Sequence, residues 1–235
     1  MVLIYSEDIP VDYLKALRGH YPEAEFISLP KINSVYSCIA SHPDIFFFNL
    51  DAETLLYAPL LPVGLINTLK DHAINVVPAG KHPEGSYPFT AALNAVRVGD
   101  FVFHNTYITD EKIKKEAHNA GLSFIHCNQG YTRCSIVPVK DNGLITQDPG
   151  IAKAGRKRGL EVLLVDNANV ILPGERYGFI GGATGVLNDG KIIFLGDISR
   201  HSSFKEIERF LRAHDVDYLH MPGLPLFDAG SLIFI

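Results

Sequence analysis

The feature of the sequence that most constrains its fold is a repeat of constant spacing. Pro43, Pro88, Arg133 and Gly178 each begin a stretch with the same order of segments, and consecutive starts are 45 residues apart. Each stretch contains an apolar run, a turn, a second apolar run, a segment of helical period and a third apolar run. The turn at 188–190, Asn-Asp-Gly between two apolar runs, indicates a hairpin because glycine accepts a positive φ. The spacing therefore predicts repeated ββαβ units.

A fifth unit is divided between the two ends of the chain. Residues 226–235 have the pattern of its first strand, and residues 1–8 have that of its second strand, followed by a helix and a closing strand. The predicted repeats are approximately 43–87, 88–132, 133–177, 178–225, and 226–235 joined with 1–42. The predicted fold is thus an α/β, five-bladed propeller of pseudo-fivefold ββαβ repeats in a single domain. Pairing of the N- and C-terminal strands closes it, because closure removes exposed sheet edges.

Composition argues against several functional classes. The formal net charge is −5, and the only basic run is the short stretch at 153–159, so no nucleic-acid partner is expected. Three cysteines are too few for a disulfide framework and predict a reducing, cytoplasmic location. The N-terminus turns acidic within seven residues, unlike a signal peptide, and no apolar run has the length of a membrane helix. The sequence has no zinc-ligand spacing and no complete nucleotide-binding glycine motif, so it predicts no cofactor.

The glycine-rich stretch at 177–185 needs another explanation. A phosphate-binding loop leads into a helix, whereas this stretch leads into a strand, a tight turn and a strand. If five first strands surround one axis, side chains at their starts would crowd one another, and glycine permits close approach. Gly181 and Gly182 are therefore predicted to line a central channel, where their backbone would contact a ligand.

Three stretches resemble a bacterial family of unknown reaction within the guanidine-modifying enzyme superfamily. They are QGYTRCSIVPVKDNGLITQDPGI, YGFIGGATGVLNDGKIIFLGDIS and LFDAGSLI. The resemblance covers the whole chain and implies the pentein fold, an α/β propeller. That fold is shared by arginine and agmatine deiminases, dimethylarginine dimethylaminohydrolases and amidinotransferases, and by the ribosome anti-association initiation factor.

The resemblance implies a cysteine nucleophile, a histidine acid/base and carboxylates that pair with a guanidinium. Agmatine-deiminase-like members carry the cysteine in the last repeat, where this sequence has Phe234, and their H-x-D motif is not evident. Cys134 has the same spacing from a glycine, opens the third repeat, and follows a strand that ends at His126. Cys134 is therefore the candidate nucleophile and His126 its acid/base. The alternative is that both are core residues without a catalytic role.

The candidate substrate-binding residues are Asp228, Arg133, Asp148, Asp197, Gly181 and Gly182. Asp228, within an apolar strand, either binds a cationic ligand or caps a backbone turn. Asp148 and Asp197 end strands before helices, where Asp caps free N–H groups, although strand ends at a channel mouth also bind ligands. Arg133 is included because it adjoins Cys134.

Three functions agree with these features. The first is a hydrolase or transferase that acts on a guanidino or related amino-acid-like compound through Cys134. The second is a non-catalytic binder of a small cationic or amino-acid-like ligand. The third is a protein-binding module similar to the anti-association factor. Reactivity of the thiol and convergence of Cys134, His126 and Asp228 on one cavity distinguish the first from the others.

Overall fold

The computed structural model of the chain describes residues 1–72, 74–167 and 169–235 and has a mixed α/β fold. The strands are β1 (Val2–Ser6), β2 (Glu25–Leu29), β3 (Phe47–Asn49), β4 (Thr54–Tyr57), β5 (Asn75–Pro78), β6 (Val96–Val98), β7 (Phe101–His104), β8 (Ser123–His126), β9 (Ile136–Val139), β10 (Gly143–Thr146), β11 (Glu161–Leu164), β12 (Val170–Ile171), β13 (Thr184–Val186), β14 (Ile192–Phe194), β15 (Tyr218–Leu219), β16 (Leu226–Phe227) and β17 (Leu232–Phe234). The helices are α1 (Val11–His20), α2 (Pro43–Phe46), α3 (Val63–Asp71), α4 (Glu111–Asn119), α5 (Thr132–Ser135), α6 (Pro149–Lys157) and α7 (Phe204–Ala213). Single turns of 3-10 helix occur at Ser37–Ile39, Phe89–Ala91 and Ile198–Arg200.

Three units in the middle of the chain share one topology. In each, the first strand pairs antiparallel with the second, and the second pairs in parallel with the third. The three sheets are β3-β4-β5, β6-β7-β8 and β9-β10-β11. Helices α3, α4 and α6 connect the second strand of each unit to the third, because parallel neighbours need a crossover connection. The ββαβ order predicted from the sequence is therefore present in these units.

The two ends of the chain meet in one sheet. Strand β17 pairs antiparallel with β1, with Leu3 opposite Phe234, and β1 pairs in parallel with β2. The backbone N–H of Val2 donates to Ile235 O at 2.7 Å, and Ile235 N donates back to Val2 O at 3.0 Å. This is the pairing of residues 226–235 with residues 1–8 that the divided unit predicted.

The fourth and the divided unit share a larger sheet. Strand β13 pairs in parallel with β17, which gives a six-stranded sheet of order β15-β14-β13-β17-β1-β2. Strands β12 and β16 form a separate pair. Within the described residues the strands form five sheets and no closed barrel, so the five-bladed propeller is not confirmed.

The first strand of several units begins later than the sequence suggested. Helical turns α2 and α5 precede β3 and β9, and the Gly-rich residues 178–182 form a turn before β13. Asp228 likewise lies in the turn between β16 and β17 rather than inside a strand. The physical reason is that backbone groups in these segments bond to neighbouring units instead of to a strand partner.

The apolar core lies between the sheets and the helices that cover them. Helix α7, for example, buries Ile207 and Leu211 on one face, the i, i+4 spacing of an amphipathic helix. Phe103, Phe194 and Phe234 are among the largest fully buried side chains. In the described part of the chain, no helix combines the length and apolar character required to span a membrane.

Candidate functional site

Five segments, one from each unit, meet immediately before the first strands and are joined by hydrogen bonds in a closed circle. The links run from Asp44 N to Gly230 O (2.9 Å), Ser231 N to Gly182 O (2.8 Å), Gly182 N to Cys134 O (2.9 Å), Arg133 N to Asn94 O (3.1 Å), and Asn94 Nδ2 to Asp44 O (2.9 Å). Each unit thus donates to the preceding one, and the first unit donates to the divided unit. We call this arrangement the axial circuit.

Asn94 is the member of the axial circuit that uses its side chain. Its Nδ2 donates both to Asp44 O and to the Cys134 sulfur, at 3.2 Å. Its Oδ1 accepts from the N–H groups of Arg133 and Cys134, at 2.9 and 3.3 Å. Asn94 is completely buried, so a single amide holds three units together through four hydrogen bonds.

The thiol of Cys134 lies against a carboxylate. Its sulfur is 3.1 Å from Asp44 Oδ2, which also accepts from Ser231 Oγ at 2.8 Å. Cys134 is 5% exposed and Asp44 1% exposed. Burial raises the pKa of the Cys134 thiol well above its usual range, and the charges of Asp44 and Asp228 raise it further. The thiol is therefore protonated at neutral pH and donates to Asp44.

Asp228 accepts hydrogen bonds from two backbone groups. Phe179 N donates to its Oδ2 at 2.8 Å and Gly230 N to its Oδ1 at 3.0 Å. Oδ1 also lies 4.0 Å from His42 Nδ1. Burial raises the pKa of Asp228 above its ordinary value; His42 and the two backbone N–H groups oppose this effect, and Asp44 adds to it.

Glycine is required beside Asp228 for a steric reason. A Cβ placed on Gly182 would overlap the Asp228 carboxylate, and one on Gly230 would overlap His42. Gly230 also has a φ of +68°, a conformation that residues with a Cβ rarely adopt. Gly181 and Gly182 thus allow the close contact between neighbouring units that the sequence suggested, and their contact with a ligand stays a prediction.

One cavity brings two of the predicted site residues, Cys134 and Asp228, together with His42. Its volume is about 470 Å³, and we call it the Cys134 cavity. Its lining residues are Tyr36, Cys38, Ile39, His42, Ile45, Tyr131, Cys134, Leu172, Glu175, Arg176, Tyr177, Phe179 and Asp228. The hydroxyls of Tyr36 and Tyr131 are hydrogen-bonded to each other, and Thr90 also bonds to Tyr131. These bonds connect the loop that carries His42 to the loop that precedes Cys134.

A second cavity lies among the first strands of all five units. Its volume is about 340 Å³, and we call it the axial cavity. Its lining residues include Asp44, Asn49, Arg97, Arg133, Asp141, Val186 and Phe234. Asp44 therefore contributes to this cavity while its Oδ2 bonds to Cys134. Phe234, which stands where the resemblance stated above implies a nucleophile, is a buried aromatic residue.

The Arg133 guanidinium donates hydrogen bonds to backbone carbonyl groups. Its Nη1 donates to Ile136 O at 3.2 Å and to Gly181 O at 3.0 Å, and its Nη2 to Thr184 O at 3.4 Å. The guanidinium therefore joins the third unit to the fourth. Burial lowers the pKa of Arg133, whereas Asp44 opposes that shift.

The structure does not bring His126 to Cys134. His126 is exposed at the end of β8, its Nδ1 lies 2.8 Å from Thr106 Oγ1, and it lines a separate cavity with Asp148. The reason is topology: β8 is the outer strand of the sheet β6-β7-β8, whereas Cys134 is hydrogen-bonded to Asn94, just before β6. The register partner of His126 on β7 is the buried His104.

Asp148 and Asp197 cap the starts of helical segments. Asp148 Oδ1 accepts from Gly150 N and Ile151 N at 2.7 and 2.9 Å. Asp197 accepts from Ser199 N, and also from Gly223 N. Both carboxylates therefore satisfy backbone groups that a helix leaves unpaired at its start.

Sequence reasoning missed the histidine that shares the cavity with Cys134. The sequence does contain an H-x-D motif, as His42-Pro43-Asp44. Its position at the start of the first repeat was the available signal. Asn94 was also missed, because a single Asn inside an apolar stretch has no recognisable pattern.

The mixed α/β fold is similar to that of solved pentein enzymes. SxtG, an amidinotransferase from Microseira wollei in the saxitoxin biosynthetic pathway, superposes with a TM-score of 0.55 over 93% of this chain and 87% of that chain, at 10% identity. The agmatine deiminase of C. jejuni superposes with a TM-score of 0.52 over 93% and 87%, at 11% identity. At such identities the likeness establishes the mixed α/β fold of the pentein superfamily alone.

The chain belongs to the family described as "Family of unknown function (DUF6873)", whose sequence profile matches residues 4–233. No curated protein sequence matches it significantly. The N-terminal domain of ArgZ, an arginine dihydrolase from the ornithine-ammonia cycle in cyanobacteria, aligns at 18% identity over 52% of this chain. The chain spans 43% of that domain's length, and a TM-score of 0.36 makes the likeness too weak to support a conclusion.

Proposed function

We propose that the chain is a closed ring of five ββαβ units whose Cys134 cavity binds a small guanidino or related cationic, amino-acid-like compound. Cys134 acts there as the nucleophile of a hydrolase or transferase. The observation that carries this proposal is the convergence of Cys134, His42 and Asp228 on one cavity. The axial circuit supports the ring. The similarity to an amidinotransferase and an agmatine deiminase supports the ligand class.

The walls of the Cys134 cavity suit a planar cation. Tyr36, Tyr131 and Phe179 supply aromatic surface, and a cation is attracted to the face of an aromatic ring. Asp228 and Glu175 supply carboxylates, which pair with a guanidinium in a fixed geometry. A ligand with a planar cationic group can therefore contact both aromatic rings and carboxylates in this cavity.

Binding of a cation would also activate the thiol. In the structure, burial and the charges of Asp44 and Asp228 hold the pKa of Cys134 well above its usual range. A guanidinium placed beside these carboxylates offsets their charge and favours the thiolate. In the proposed reaction His42, which lines the same cavity, accepts the proton from sulfur.

The chemical steps then balance. The Cys134 thiolate forms a bond to the guanidinium carbon, and the C–N bond to the leaving amine breaks as His42 returns the proton to nitrogen. Water, deprotonated by His42, next attacks the same carbon, and the sulfur leaves with its electron pair. The products are the amine and the hydrolysed compound; if a second amine attacks instead of water, the reaction is an amidino transfer.

A second candidate is a binder without catalysis, and a specific contact favours it. The Cys134 thiol donates to Asp44 within the axial circuit, and its raised pKa leaves little thiolate at neutral pH. In this function Cys134 only packs and hydrogen-bonds, while Asp228 and the aromatic walls hold the ligand.

Labelling with two isosteric electrophiles tests the site directly. Chloroacetamidine is cationic and chloroacetamide is neutral, and both alkylate thiolates. We expect chloroacetamidine to modify Cys134 much faster, as measured by peptide mass mapping, because the carboxylates of the cavity attract its amidinium. Asp228→Asn should reduce this preference, and Cys38, in the same cavity, is the internal reference. Equal rates for the two reagents at Cys134 would contradict a cation site.

Turnover separates the enzyme from the binder. The wild type and Cys134→Ser are incubated with arginine, agmatine and a panel of guanidino acids, and products and thermal shifts are recorded. An enzyme forms product only with Cys134 present. A binder shows thermal shifts in both proteins and no product. If neither protein responds to any compound, the ligand class is wrong.

A further inference from the structure

Two residues that line the axial cavity each carry a buried acceptor atom without a protein partner. Oδ1 of Asp44 and Oδ1 of Asn49 have no hydrogen-bond donor among the described residues, and both residues line this cavity. Asp44 is 1% exposed. Neither residue belongs to the set that lines the Cys134 cavity.

Such acceptors are costly unless something donates to them. A buried acceptor without a donor destabilises the folded state, because it has lost its hydrogen bonds to water. This cost is larger for a carboxylate than for an amide. The two arginines of the cavity donate elsewhere: Arg97 Nε to Gly99 O at 2.8 Å and Nη1 to Leu50 O at 2.9 Å, and Arg133 to carbonyls of its own and the next unit. A ligand that brings N–H donors would therefore satisfy both acceptors.

We propose that the axial cavity is a second ligand site, which binds an ammonium ion or a small primary amine through Asp44 and Asn49. A protonated amine brings several N–H donors and a positive charge to the carboxylate of Asp44. Asp51 and Asp141 add negative charge to the lining of the cavity, and Arg97 and Arg133 add positive charge. The two arginines therefore reduce the number of cations that the cavity can bind. This balance favours one monovalent cation. The volume of about 340 Å³ exceeds the roughly 30 Å³ of a water-sized ion, so a small alkylamine also fits.

The position of Asp44 connects this site to Cys134. Its Oδ2 accepts from the Cys134 thiol, whereas its Oδ1 is the unpartnered acceptor. If the proposed function is correct and a guanidino group is hydrolysed, one ammonium or alkylammonium ion is released for each water consumed, and Asp44 joins this site to the reacting sulfur. That connection rests on the proposed function, but binding of ammonium does not require it.

Thermal unfolding in matched salts tests the proposal. Ammonium chloride is compared with potassium chloride, and methylammonium with tetramethylammonium, at equal ionic strength. Potassium and tetramethylammonium are monovalent but have no N–H donors. At roughly ten times its dissociation constant, ammonium should raise the Tm by about 3–5 °C relative to potassium. Cys134→Ser should keep this response, so failure of the proposed function leaves the test intact.

Two substitutions of Asn49, with a control at Asn188, test Asn49 as an acceptor. Asn49→Leu removes one acceptor and should abolish the difference between ammonium and potassium. Asn188→Leu changes another amide of the same cavity and should keep it. Asn49→Asp should increase the ammonium response and covers the case in which Asn49→Leu fails to fold. Equal Tm in ammonium and potassium for the wild type would overturn the proposal, as would an unchanged response in Asn49→Leu or Asn49→Asp.

Discussion

Side-chain amides and carboxylates serve different purposes at the edge of the units and at the axis. At the edge, Asp148 accepts from two N–H groups of the helix that follows it, and all partners lie within three residues. At the axis, Asn94 bonds to Asp44 and Cys134, which lie 50 and 40 residues away in the sequence. The edge residue stabilises one helical turn, whereas the axial residue holds units together.

This difference predicts whether a substitution destabilises one helix end or the whole domain. Loss of an edge cap exposes N–H groups that solvent can reach, so the cost remains local. Loss of an axial side chain leaves buried groups of two other units without partners, and water cannot replace them. Substitutions at the axis should therefore affect the whole domain and the Cys134 thiol together.

Removal of the strand that closes the axial circuit should have the largest effect. Deletion of residues 226–235 removes β17, which pairs with both β1 and β13, and also removes Ser231 and Gly230 from the circuit. We expect loss of cooperative thermal unfolding. A truncated protein that melts within a degree or two of the full chain would contradict the divided unit.

A circular permutant is the matched control for that deletion. Val2 and Ile235 exchange two backbone hydrogen bonds, so a short linker can join the ends. New ends placed in the exposed turn at 188–189 leave every link of the axial circuit in place. This permutant should unfold cooperatively near the Tm of the natural chain.

Asn94→Ala should be the most damaging single substitution of a polar residue at the axis. It removes four side-chain hydrogen bonds among three units and leaves buried donors and an acceptor unpaired. We expect the free energy of unfolding in urea to fall by about 3 kcal/mol or more. Asn188→Ala, at an exposed position, is the control and should change it by less than about 0.5 kcal/mol. Similar small losses in both would mean that the circuit adds little stability.

Asp44→Asn should make the Cys134 thiol more reactive. The negative charge of Asp44 raises the pKa of Cys134, after the larger effect of burial, so its removal lowers that pKa. Alkylation of Cys134 by neutral iodoacetamide at pH 8 should become roughly tenfold faster or more, and the pH–rate profile should move to lower pH. Cys38, whose pKa of about 11 reflects chiefly burial and Glu175, should react at an unchanged rate. A slower Cys134 would contradict the assigned contact.

Asp148→Ala should have the smallest effect of the four. It removes the cap of α6, which typically costs about 1 kcal/mol of unfolding free energy. Alkylation of Cys134 and its pH dependence should not change, since Asp148 lies outside the axial circuit. A marked change in Cys134 reactivity would show that the two regions are coupled after all.

The sequence determined the features that depend on neighbouring residues. The 45-residue spacing, the hairpin turns and the helical segments follow from local patterns of apolar, turn and glycine residues. The caps at Asp148 and Asp197 belong to the same class. The pairing of the chain ends was predictable too, because each end carries half of a unit whose pattern the other units repeat in full.

The tertiary structure alone decided which side chains meet at the axis. The spacing of the repeats places Asp44, Asn94 and Cys134 near equivalent positions along the chain, but it does not state the distances across the axis. Those distances depend on how each unit is rotated and on where its first strand begins, which the turns α2 and α5 shift by several residues. For this reason the sequence paired Cys134 with His126, at the end of the preceding strand, whereas the fold brings His42 into its cavity from the divided unit, which is distant in the sequence.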